Sequence, residues 1–67
     1  MEGKVIIDYT NWRGERRTRA IFPITIEFGS TEWHPEKQWL LSALDLEDEH
    51  LTEKKFALKD IHSWKTA

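Results

Sequence analysis

The run Trp33-His34-Pro35-Glu36-Lys37-Gln38-Trp39-Leu40-Leu41 sets a polar, proline-containing turn directly against an apolar segment, and that junction constrains the fold more than any other stretch. Upstream, Ile21, Ile24, Ile26 and Phe28 mark extended segments interrupted by Pro23 and closed by Gly29, Ser30 and Thr31. Downstream, Trp39 to Asp45 reads as a strand leaving the turn. Residues 36 to 46 also suit a helix, because leucine, glutamate, lysine and alanine favour one. The acidic turn from Glu47 to Glu53 and the alternating Lys55-Phe56-Ala57-Leu58-Lys59 that follows decide for a strand.

The rest of the chain extends this pattern. Val5, Ile7 and Tyr9 alternate with Ile6, Asp8 and Thr10, which predicts a first strand with one face against a core. Asn11 to Glu15, with Gly14, supplies a turn. Arg17, Arg19 and Ile21 then alternate with Thr18, Ala20 and Phe22, so the returning segment carries its arginines on one face while Ala20 and Phe22 pack on the other. Pro23 breaks regular pairing at an edge, bend or bulge. Ile24, Ile26 and Phe28 share one side of a further strand. Pro35-Glu36 suits the centre of a type I turn. Ile61 and Trp64, three apart, read as a single turn closing one end. Five short strands with no repeat or linker predict one all-β domain over residues 1–67, a small five-stranded barrel with Ile7, Tyr9, Ile26, Trp39, Leu41, Phe56 and Ile61 as its principal core.

The order of these signals resembles the WYL domain, a ligand-sensing module of many bacterial transcription regulators. The matching residues are Ile7 and Tyr9, Gly14, Arg17 and Arg19 before Ile21 and Pro23, Trp39-Leu40-Leu41 with Ala43, and Lys54 to Ile61. The resemblance implies an Sm-like barrel, related to the SH3-like barrels, whose basic and aromatic face binds nucleic acids or nucleotide-like ligands. The chain departs from the family where Leu40 replaces the middle tyrosine and Lys54 replaces an arginine. Leucine has no phenolic hydroxyl, and lysine lacks the planar bidentate fork.

At 67 residues a chain buries only roughly 60% of its unfolded surface, so every large apolar side chain counts. With no cysteine there is neither a disulfide framework nor a thiolate metal site, and a reducing, cytoplasmic setting is the simpler expectation. No apolar stretch has the length of a signal peptide core or a membrane span. The net charge of −2 conceals two opposed clusters, Arg13, Arg16, Arg17 and Arg19 against Asp45, Glu47, Asp48 and Glu49. They are either two solvated turns or a polarity that focuses an anion.

Arg17 and Arg19, two apart on a strand, project from the same side of the sheet, a spacing that suits adjacent phosphates or a phosphate and a stacked base. The competing reading pairs them with carboxylates such as Glu27, Glu32 or Asp45 on neighbouring strands. Of the four tryptophans, Trp39 and Trp64 suit the core, while Trp12 beside Arg13 and Trp33 beside His34 suit the surface, where an aromatic face stacks on an unpaired base. His34, His50 and His62 lack zinc-ligand spacing, and Asp8, His34 and Ser42 form a catalytic trio only on paper, without a nucleophile motif. The sequence therefore predicts a non-catalytic, cofactor-free regulatory domain. It would bind a nucleotide-like ligand or single-stranded nucleic acid through Arg17, Arg19, Arg13, Lys54 and Trp12. The alternative is a protein-interaction module or homodimer using Trp12, Trp33 or a strand edge.

Overall fold

Strict alternation in Val5-Ile6-Ile7-Asp8-Tyr9-Thr10 becomes β1 (Val5–Thr10), with Val5, Ile7 and Tyr9 buried and the intervening residues half-buried. The computed structural model describes residues 2–66. β2 (Arg16–Gly29), β3 (Gln38–Asp45) and β4 (Glu53–Ala57) follow, then a single 3-10 turn at Leu58–Asp60 and β5 (Ile61–Thr66). All pairings are antiparallel, and the order across the sheet is β4-β3-β2-β1-β5. The first four strands form a meander, and β5 returns to the outer side of β1.

The β1–β2 turn is built by Asn11. Its Oδ1 accepts from the backbone N–H of Arg13 and of Glu15, both at 2.9 Å, while Gly14 takes the left-handed conformation (φ +82) that a tight turn needs. Of the edge, bend or bulge expected at Pro23, the structure has a bulge. The strands expected at 17–22 and 24–28 are one 14-residue strand whose register to β3 shifts between Pro23 and Thr25, making Ile24 the extra residue. The fifth strand lies where a single turn was expected. A second bulge, opposite Asp8 and Tyr9, inserts His62, so Ile61 pairs with Tyr9 and Trp64 with Ile7. One inserted residue lets side chains three apart share a face.

Val5, Ile7, Tyr9, Ile21, Leu41, Ala43 and Phe56 form the core, with Leu58 and Ile61 packed against it. Four of the expected core residues, Ile7, Tyr9, Leu41 and Phe56, are buried, and Ile61 is partly buried. Ile26 and Trp39 are not core; they are 55% and 57% exposed. Both lie on the core-side face in register, since Ile26 pairs with Leu41 and Trp39 with Phe28, but the β1 ladder ends at Val5 and Ile21. The β2–β3 arm continues beyond that last pair without β1 beside it. Trp64, on the edge strand β5, is also exposed. The arginine face of β2 is the buried face, because Ile21 is fully enclosed there while Ala20 and Phe22 are half-buried.

On the reverse face, Lys55 of β4 pairs with Glu27 of β2 across the intervening β3. Leu40 and Ser42 of β3 are almost fully buried on that same face. The Ser42 hydroxyl donates to Glu53 at 2.6 Å.

The expected WYL-like barrel, Sm-like or SH3-like, is not formed. The sheet bends enough to bring the Tyr9 and Phe56 rings to 5.0 Å, edge to face, although β1 and β4 stand three strand positions apart. A flat sheet would separate those strands by roughly 14 Å. Yet among the described residues no ladder joins β4 to β5, so both remain open edges and the architecture is an open five-stranded antiparallel sheet. The resemblance to the WYL domain, which implied closure, falls with it. Among the described residues no helix is long and apolar enough to cross a membrane.

Candidate functional site

Of the cationic residues singled out from the sequence, all but Arg13 are drawn to carboxylates rather than displayed as a phosphate clamp. Arg19 donates from Nη2 to Asp45 at 2.9 Å, and Lys54 donates to the same Asp45 oxygen at 2.7 Å. Arg17 bonds Glu47 at 3.1 Å, and Arg16 forks onto Asp8 with bonds of 2.9 and 2.8 Å. Three cations, Arg17, Arg19 and Lys54, thus meet two carboxylates at the start of the β3–β4 turn. Arg17 and Arg19 do leave the same face of β2, but both guanidinium groups turn to that acidic turn. The competing, paired reading of these arginines holds for the molecule.

Asp45 is the hub of this cluster. Its side chain is 4% exposed and also accepts the Glu47 backbone N–H at 2.9 Å. Burial alone would raise its pKa; the hydrogen bonds from Lys54, the Glu47 N–H and Arg19 outweigh that and hold the carboxyl below its ordinary value. The Arg19 guanidinium lies 5.8 Å from the Phe56 ring centre, which ties the cluster to the core. Burial pushes the Tyr9 phenol upward.

Arg13 is the one arginine without a carboxylate partner among the described residues, and its guanidinium sits 5.1 Å from the Trp12 ring. Trp12 in turn stacks on Trp33, with centroids 4.8 Å apart and planes 18° from parallel. The two tryptophans come from different loops, each internally fixed. The Asn11 turn holds Trp12. Reciprocal backbone bonds between Thr31 and His34, at 2.9 and 3.1 Å, hold Trp33.

This stacked pair separates two hollows. The larger, about 480 Å³, is lined by Tyr9, Asn11, Arg19 and Thr31 together with four consecutive residues of the edge strand β4, Glu53 to Phe56. The smaller, about 250 Å³, is lined by Pro35, Glu36, Gln38 and Lys59. Trp12, Trp33 and His34 border both. His34 is buried there with Nε2 unpartnered, and the Arg19 Nε is likewise buried without a hydrogen bond.

Of the five expected ligand residues, Trp12, Arg19 and Lys54 line this groove, Arg13 stacks on its rim, and Arg17 lies outside it. The sequence reading missed the apposition of Trp12 with Trp33, which depends on two turns 21 residues apart meeting in space. It also missed the β4 edge that forms the groove wall. Asp8, His34 and Ser42 are engaged separately with Arg16, Thr31 and Glu53. Among the described residues no group of three histidine, cysteine or acidic side chains is placed to hold a metal ion. No protein-family profile, curated protein or solved structure matches the chain.

Proposed function

We propose that the chain is a non-catalytic interaction module that binds an extended segment of a partner protein along β4, with an apolar side chain of that segment seated on the Trp12–Trp33 stack. The stack carries this reading. Two large rings, 51% and 55% exposed, stand together at the mouth of a groove whose other wall is an unpaired strand edge. An exposed tryptophan pair gives a partner much apolar area at small ordering cost. An open edge supplies main-chain hydrogen bonds to an incoming strand. The pairing of Arg17, Arg19 and Lys54 with carboxylates weighs against nucleic acid or a nucleotide, whose recognition draws on phosphate contacts.

The test is selection of linear peptides from a displayed library on the full chain, followed by titration of an enriched peptide, read by tryptophan fluorescence. Saturable binding is expected, weakened about 30-fold or more by Trp33→Ala, as for a hot-spot residue worth about 2 kcal/mol. Failure of any peptide to enrich, or equal affinity in the folded Trp33→Ala variant, would reject the groove. Saturable, salt-sensitive binding of a short oligothymidine, lost on changing Arg17 and Arg19, would favour a nucleic-acid role instead.

A further inference from the structure

β2 outruns its neighbour. The ladder to β1 ends at Ile21, whereas β2 continues to Gly29 paired, among the described residues, only with β3, so the stretch from Phe22 to Gly29 has one unpaired side. The Leu46 N–H donates to the Ala20 carbonyl at 3.0 Å, which fixes the alternation of backbone groups on this part of the sheet. Leu44, Ser42 and Leu40 face β2 in step with Leu46, and so do their partners Phe22, Thr25 and Glu27 in return. Pro23, which has no N–H to offer, therefore points to the open side. Beyond the bulge, Ile26 and Phe28 turn their backbone N–H and C=O to that side as well. The same stretch carries Ile24, Ile26 and Phe28, 51%, 55% and 56% exposed, with Trp39 edge-on to Phe28 at 5.3 Å.

From this free edge we infer a symmetric dimer in which a second copy of the chain pairs antiparallel, β2 against β2, about a two-fold axis at Ile26. The segment Ile24-Thr25-Ile26-Glu27-Phe28 is self-complementary in that register. Ile26 meets Ile26 of the second copy, Thr25 meets its Glu27, and the side chain of Ile24, at the bulge, comes beside its Phe28 without a regular backbone pair. The outward backbone groups of Ile26 fall opposite one another, the arrangement that exchanges two hydrogen bonds. Centring the pair on Glu27 would set two carboxylates face to face, which disfavours it. The four exposed side chains offer on the order of 500 Å² per copy. Two copies then bury at most about 1,000 Å² in total, below the usual range of a stable interface, so weak, reversible association is expected. The site is separate from the tryptophan groove.

Sedimentation equilibrium of the full chain between about 10 µM and about 1 mM tests it. A monomer–dimer equilibrium is expected. Ile26→Lys should weaken it at least about tenfold by facing two ammonium groups across the axis, while leaving the circular dichroism spectrum intact because Ile26 is outside the core. Mixing Ile26→Lys with Ile26→Glu should restore pairing, as a heterodimer tighter than either variant alone. Trp33→Ala should leave association unchanged, which separates this interface from the groove. A monomer at the highest concentration, an undiminished Ile26→Lys dimer, or no gain on mixing the two variants would overturn the inference.

Discussion

Changing Asp45 to alanine is the sharpest test of what holds this sheet together. The carboxylate is 4% exposed and accepts Arg19, Lys54 and the Glu47 N–H, so its loss strips the partner from an arginine that is itself only 13% exposed. Breaking a buried pair by deleting one member costs about 3–5 kcal/mol. Here the loss falls at or just below the lower end, because Lys54 is 41% exposed and can turn to water, and Arg19 Nε keeps Glu47 at 3.8 Å. A loss of ~2–3 kcal/mol is therefore expected, against a total of roughly 3–10 kcal/mol for a domain of this length. Urea unfolding followed by tryptophan fluorescence reads it directly, and the melting temperature should drop by about 10–20 °C. In the Asp45→Ala background, Arg19→Ala should cost less than it does alone, a coupling of at least ~1 kcal/mol. A loss under about 0.5 kcal/mol, or strict additivity of the two changes, would show that the cluster is surface decoration and that the core alone sets stability.

The same carboxylate gives stability a pH dependence. Asp45, Asp8 and Asp48 all ionise more readily when folded, so the unfolded chain binds more protons near pH 4. Their contribution is complete above the ordinary value of 3.8 and is lost as pH falls below it; an acid titration of Asp45→Asn should show a smaller drop than wild type, and equal drops would contradict the assignment. Ile21→Ala, at a fully enclosed position, should cost about 2–5 kcal/mol. Ile26→Ala, measured at low protein concentration, should cost under about 1 kcal/mol, and similar losses at the two sites would contradict the burial pattern.

How much of this was legible in the sequence depended on whether a signal was local. Alternation in Val5–Tyr9 and Trp39–Asp45 is a property of adjacent residues, and both strands stand where it put them. Pro23 announced an irregularity but not that the segments on either side of it are one continuous strand. The two bulges broke the period-two rule: His62 made Ile61 and Trp64 look like a turn, and Ile24 shifted the face count along β2. Burial of Ile26 and Trp39 failed for a different reason, since facing the core side is a local matter but being covered depends on where β1 stops. The arginine partners lie 26 and 30 residues away, across a register that a single sequence does not display.

The pairing of β5 with β1 also bears on how the chain assembles. Every other ladder joins strands consecutive along the chain, so each can zip outward from its own turn. The β1–β5 ladder instead brings Val5 beside Thr66. Its loop-closure entropy is that of nearly the whole polypeptide, and it gains little until the meander has already bent toward its own core. Contact order is raised by this one ladder. Folding is expected on the millisecond-to-second scale of non-local β topologies, with the two ends of the chain meeting last and the outer side of β1 bare until they do.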